Sequence, residues 1–179
     1  MYFPILRGRQ FELLALRECV KENVLSSQII PIVEPVKVSS TYIKTIDSFI
    51  EAEKPIAVIR NPQVGSWSKD LKKESNINIS AQFQKQCKAP CVISSFYVTP
   101  ELEKDIRSAI EKGNSIESML LLCNNPEYVD EYENVIGEKT PLYTLICKLK
   151  FFISTTKTLD ELQPIQGRIF LHLLVGNCI

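Results

Sequence analysis

The sequence predicts an α/β fold: repeated βα units forming an incomplete TIM-barrel-like parallel sheet. The first observation behind this is a set of short apolar runs that pass into polar residues, as strands buried on both faces do when they end at a rim. The runs are residues 29–35 (Ile-Ile-Pro-Ile-Val-Glu-Pro), 55–62 (Pro-Ile-Ala-Val-Ile-Arg-Asn-Pro), 90–96 (Pro-Cys-Val-Ile-Ser-Ser-Phe), 118–126 and 141–147. The second is their spacing. Starts at Ile29, Ile56, Cys91, Ser118 and Leu142 lie 27, 35, 27 and 24 residues apart, the length of a strand, a helix and two short loops. Such alternation implies parallel strands joined by right-handed crossovers.

In chain order, residues 2–6 read as a first short strand, turning at Arg7-Gly8-Arg9-Gln10 into a helix whose stripe is Leu13, Leu16, Val20 and Val24. After the strand at 29–33, Ser39, Ser40 and Thr41 offer caps for a helix with Ile43, Ile46, Phe49 and Ile50 on one face. The strand at 56–59 leads into a long polar loop, 61–67, that contains Trp67, and residues 77–88 read as the next helix. Thr99, Pro100 and Glu101 then open a helix with the stripe Leu102, Ile106 and Ile110, which Gly113 ends. Asn125-Pro126-Glu127 and Gly137 bracket another in the same way. Thr158-Leu159-Asp160-Glu161 has a capping-box pattern before Pro164, and residues 169–175 form a last apolar strand.

A closed eight-fold barrel needs about 250 residues, and the 179 here hold at most seven such units. One domain over 1–179 is expected, with 149–179 atypical in texture and poorly packed, or truncated. Its last strand is expected at a sheet edge or a protein contact, so that the isolated chain self-associates. The 45% apolar content suffices for a core without metals or disulfides.

Lysine plus arginine and aspartate plus glutamate balance at 21 each, so overall charge draws the chain neither to nucleic acid nor to an acidic membrane surface. Lys69, Lys72 and Lys73 sit beside Asp70 and Glu74 and read as a solvated face. The six cysteines (Cys19, Cys87, Cys91, Cys123, Cys147 and Cys178) match no zinc or redox spacing and read as buried, reduced thiols of a cytoplasmic protein. No run reaches the roughly 20 apolar residues of a membrane span, and the N-terminus lacks the layout of a signal peptide.

Ligands of parallel α/β folds bind at the carboxyl ends of strands, which singles out Arg7, Glu34, Arg60, Asn61, Ser94, Ser95, Asn124 and Lys148, with Arg9 beside them. Guanidinium and amide groups suit an anionic small molecule such as a phosphate ester, and Glu34 is the candidate catalytic base or holder of a divalent cation. The plainer reading is that Glu34 pairs with Arg7 or Arg60 and neutralises the rim. His172 is the chain's one histidine and lies in an apolar run, so no metal site is expected. Gly8 and Gly65 are isolated, without a nucleotide-binding glycine pattern, and no cofactor is implied. Trp67 is read either as a surface on which a ligand stacks or as packed against its own helix.

Residues 1–18 (Met-Tyr-Phe-Pro-Ile-Leu-Arg-Gly-Arg-Gln-Phe-Glu-Leu-Leu-Ala-Leu-Arg-Glu), 29–36 and the Asn61-Pro62-Gln63-Val64-Gly65 segment resemble the start of an uncharacterised bacterial family. It carries a locus-style label (in words, sce-seven-seven-two-five) and is similar to the phage Beta protein family. The match is specific over residues 1–65 and topological from there to 147. Family members are longer, with an acidic and aromatic C-terminal portion that this sequence lacks. The resemblance implies a barrel-like α/β fold, no established activity and an association with phage or mobile-element neighbourhoods, and it supplies no assignment of catalytic residues. Two functions follow as expectations. One is a binding or structural component that meets a protein partner, or its own copy, through the rim and the last strand. The other is an enzyme acting on a phosphorylated or otherwise anionic small molecule.

Overall fold

The computed structural model of the chain describes residues 1–147 and 169–172. The chain divides into two compact units, Met1–Ser95 and Phe96–Ile179. Both are α/β. As predicted, βα units repeat along the sequence, the strand pairs within each unit are parallel, and the seven strands among the described residues fall short of a closed eight-stranded barrel.

The first unit runs β1 (Ile5–Arg7), α1 (Gln10–Lys21), β2 (Ile32–Glu34), α2 (Ser40–Glu51), β3 (Ile56–Ile59), α3 (Trp67–Asp70), a 3-10 turn (Glu74–Asn76) and α4 (Ile77–Gln86). It ends within β4 (Val92–Tyr97). The strands pair in chain order, with Ile5 beside Ile32, Ile32 beside Ala57 and Ile56 beside Val92. The expected strands at 2–6 and 29–33 are each split. Tyr2 and Ile29 form an isolated bridge, and the regular ladder resumes only at Ile5 and Ile32. Pro4 and Pro31 stand between them, and neither has an N–H to give to a ladder. β3 matches its predicted bounds because all four of its residues are buried and apolar.

Helix starts follow their caps. Ser39 Oγ accepts the Tyr42 N–H at 3.2 Å, and Glu12 Oε2 accepts the Arg9 N–H at 3.1 Å. α1 buries Leu13, Leu16 and Val20, but Val24 lies beyond its end and is exposed, which corrects the predicted stripe. α2 buries Tyr42 and Thr45 as well as Ile43, Ile46 and Phe49. The predicted loop at 61–67 is shorter than expected, since Trp67 opens α3 and is 1% exposed. Its turn depends on Gly65, which has φ +78°; a Cβ there would stand 2.0 Å from the Val36 carbonyl oxygen. That oxygen accepts the N–H groups of Ser66 and Trp67 at 2.8 and 3.2 Å. The core gathers Leu13, Ile46, Phe49, Trp67 and Phe83 over Val33, Val58 and Val92 of the strands.

The second unit follows the end of β4 with α5 (Leu102–Glu111), a 3-10 turn (Ile116–Ser118), β5 (Leu120–Cys123), a 3-10 turn (Pro126–Tyr128), α6 (Val129–Ile136), β6 (Tyr143–Cys147) and β7 (Ile169–His172). Leu120 pairs with Tyr143 and Thr144 with Ile169. α5 begins after a turn in which the Leu102 N–H reaches the Thr99 carbonyl at 2.9 Å. Its buried face is Leu102, Ile106 and Ala109, whereas Ile110, predicted in the stripe, is 42% exposed. At 3.6 residues per turn, Ala109 completes that face better than Ile110. Asn125 Oδ1 accepts the Glu127 N–H at 3.1 Å, and Gly113 and Gly137 follow their helices at positive φ, as expected.

Cys87 and Cys123 are buried free thiols, while Cys19 and Cys91 are only half-buried, contrary to the reading of cysteines as core residues. No helix among the described residues is long and apolar enough to cross a membrane. The expectations for the capping box at 158–161, for Lys148 and for most of 149–179 lie outside the described residues.

Candidate functional site

The strand ends of the first unit carry most of the residues that the sequence singles out. Glu34 is the last residue of β2, 4% exposed, and lies in register with Arg7. Its Oε1 accepts the Gln63 N–H at 2.8 Å, and its carbonyl oxygen accepts the Gly8 N–H at 2.7 Å. One residue thus ties down the loops that follow both β1 and β3. Gly8 fits because it has no side chain: a Cβ would sit 3.2 Å from both the Glu34 carbonyl oxygen and the Tyr42 ring. Arg7 and Arg9 are exposed, and neither forms an ion pair among the described residues.

Arg60 continues β3, its N–H bonded to the Ser95 carbonyl at 2.9 Å. Alternation along the strand gives it the side of Val58, which faces the helices. Its guanidinium donates to Ser94 Oγ and to Gln84 Oε1, both at 3.2 Å, and lies over the Phe83 ring at 5.3 Å. Ser95 is fully buried, and Asn61 is half-buried with its carbonyl accepting Gln63 Nε2 at 2.9 Å. Asn124 belongs to the second unit, where it follows β5 and is exposed.

Sequence reasoning missed the group behind this rim. Tyr42 is buried against Trp67 and Phe83, with ring centroids 4.9 and 6.1 Å away, and its hydroxyl has no hydrogen-bond partner. Trp67 and Phe83 meet edge to face at 5.0 Å. Trp67 is therefore a core residue, not a surface on which a ligand stacks. Burial pushes the Tyr42 hydroxyl well above the usual tyrosine pKa; Cys87 and Glu34 add to this and Arg60 opposes it. Burial likewise pushes the Cys87 thiol up to about 11, against the pull of Arg60. The signal for Tyr42 was present, since Tyr42, Ile46 and Phe49 fall on one helical face.

No family model, curated protein or solved structure matches the chain.

Two grooves lie away from the strand ends. One of about 410 Å³ runs between α1 and α2 past Arg17, Lys21, Ser48 and Glu51. The other, of about 290 Å³, runs between α5 and α6 past Ile106, Ile110 and Val135. Among the described residues no three His, Cys, Asp or Glu side chains are grouped to hold a metal ion. The rim carries the exposed Arg7 and Arg9, while its buried carboxylate accepts a backbone N–H, an arrangement that fixes a loop.

Proposed function

We propose that the protein is a binding or structural component of a phage- or mobile-element-linked system, and that the rim of its first unit meets a partner or a small anion. One observation carries the reading. Glu34, the carboxylate best placed for acid/base work, is buried and holds the Gln63 N–H at 2.8 Å. A general base must reach the proton it takes from a substrate, and this one is occupied with holding a loop. The exposed Arg7 and Arg9 at the end of β1 offer charge to a partner instead. The link to phage systems rests on the resemblance of residues 1–65.

The competing reading, an enzyme acting on phosphorylated small molecules, differs in one measurement. A panel of phosphate monoesters and diesters incubated with the protein is expected to show no turnover above buffer. Turnover that Glu34→Gln removes while the thermal midpoint stays in place would establish the enzyme and end the binding-component reading.

A further inference from the structure

We infer that Arg60 and Tyr42 form a seat for a small oxyanion, a phosphate or carboxylate group, behind the strand ends of the first unit. This rests on the reading of the rim as a binding surface and names the chemistry of what it takes. The Arg60 guanidinium is half-buried, stacked on Phe83, and its two hydrogen-bond partners, Ser94 and Gln84, are neutral. None of the ion pairs among the described residues includes it. A partly desolvated cation without a counter-charge is the arrangement that an incoming anion relieves. Guanidinium offers five N–H donors in a planar fork suited to carboxylate and phosphate oxygens, so donors remain after Ser94 and Gln84 are served.

Tyr42 supplies the second half. Its hydroxyl is a donor with no acceptor in an otherwise close-packed aromatic cluster, and buried hydroxyls are normally satisfied. Phe83 joins the two groups, carrying Arg60 over its face at 5.3 Å and the Tyr42 ring at 6.1 Å.

Trp67 is the chain's single tryptophan and packs on both Tyr42 and Phe83, so its emission reports on this cluster. The test is a titration of the full chain with inorganic phosphate and, separately, with acetate, followed through Trp67 fluorescence. Wild type is expected to give a saturable change with at least one anion, and the anion that acts assigns the seat to phosphate or to carboxylate chemistry. Arg60→Gln should abolish the change. Tyr42→Phe, which keeps the ring and its packing, should raise the midpoint about three- to tenfold, the size of one neutral hydrogen bond. Arg107→Ala, at an exposed arginine of the second unit, should leave it unaltered. Four results would overturn the seat: no saturable change in wild type, a response that survives in Arg60→Gln, a midpoint unmoved in Tyr42→Phe, or equal weakening in Arg107→Ala. Should Arg60→Gln fail to fold, the Tyr42→Phe midpoint decides alone. Absence of anion binding leaves the binding-component reading standing, and ester turnover would remove that reading without touching the seat.

Discussion

The first unit ends its strands on polar groups that hold one another, and the second ends β5 on an exposed amide. At the rim of the first, Glu34 secures two loops, Arg60 is braced by Ser94, Gln84 and Phe83, and Gly65 closes a turn onto Val36. In the second, Asn124 is exposed, and Tyr132 meets Thr144 in a buried polar contact. Both units bury an apolar core, and the strand ends of the first also carry the braced groups Glu34 and Arg60. Strand-end position alone does not make a site; the helix behind it must supply partners.

The largest expected difference between the units is at glycine. Gly65→Ala would place a methyl group 2.0 Å from the Val36 carbonyl oxygen at φ +78°, where backbone strain adds to a clash with main chain. A loss of about 3 kcal/mol or more is expected in urea unfolding, a large share of the roughly 5–15 kcal/mol that holds a domain folded. Gly113→Ala in the second unit has a comparable φ, +90°, but open space, and should cost about 1 kcal/mol, the strain alone. Equal losses at the two positions would show that the Val36 contact does not organise the turn.

Alkaline pH probes the Cys87 thiol of the first unit next. The Cys87 thiol has an ordinary value of 9.0 and is raised to about 11 in the folded protein, so the folded state holds its proton longer. Stability from this group is complete below pH 9 and is lost as pH rises towards 11, a fall of roughly 2–3 kcal/mol. The raised Tyr42 hydroxyl acts with the same sign above its ordinary value of 10.0. Thermal midpoints measured from pH 8 to 11 should fall less steeply in Cys87→Ala, from a lower starting point. Parallel curves would remove Cys87 as a source of the loss.

Glu34→Ala should cost about 1–2 kcal/mol, because the Gln63 N–H loses its acceptor in a partly buried setting. Asn124→Ala, at the equivalent strand end of the second unit, should stay within about 0.5 kcal/mol. Chemical denaturation of the two variants side by side tests whether the rim of the first unit is the structurally committed one.

Much of the fold was legible because it follows from local chemistry. β3 was bounded by its own apolar run, Ser39 and Asn125 capped as their side chains allow, and Gly113 and Gly137 ended their helices. What escaped depended on partners distant in sequence. The prolines at 4 and 31 each looked tolerable at a strand end, and only the register that sets them side by side splits the ladder. Val24 fell beyond the point where α1 stops, and Ile110 lay beside a buried face that Ala109 completes instead. Arg60 was placed on the rim correctly, but its direction needed α4, which supplies Gln84 and Phe83. Strand alternation was an available signal there: Val58 and Arg60 share a side, and Val58 faces helices.

The smallest effects belong to two buried tyrosines. Tyr132 in the second unit has its hydroxyl 2.9 Å from Thr144 Oγ1, while the Tyr42 hydroxyl in the first has no partner. Removing an oxygen from each therefore tests opposite predictions with one chemical change. Tyr132→Phe leaves the Thr144 hydroxyl buried without its partner and should cost about 1 kcal/mol. Tyr42→Phe removes a polar atom that gains nothing in the unliganded protein, so stability should hold or rise by a few tenths of a kcal/mol. The ring contacts with Trp67 and Phe83 are kept, which separates the hydroxyl from the packing. Thermal unfolding without added anion reads both. If Tyr42→Phe loses as much as Tyr132→Phe, the Tyr42 hydroxyl is already satisfied within the fold, and the reason for expecting it to donate to an anion disappears with that result.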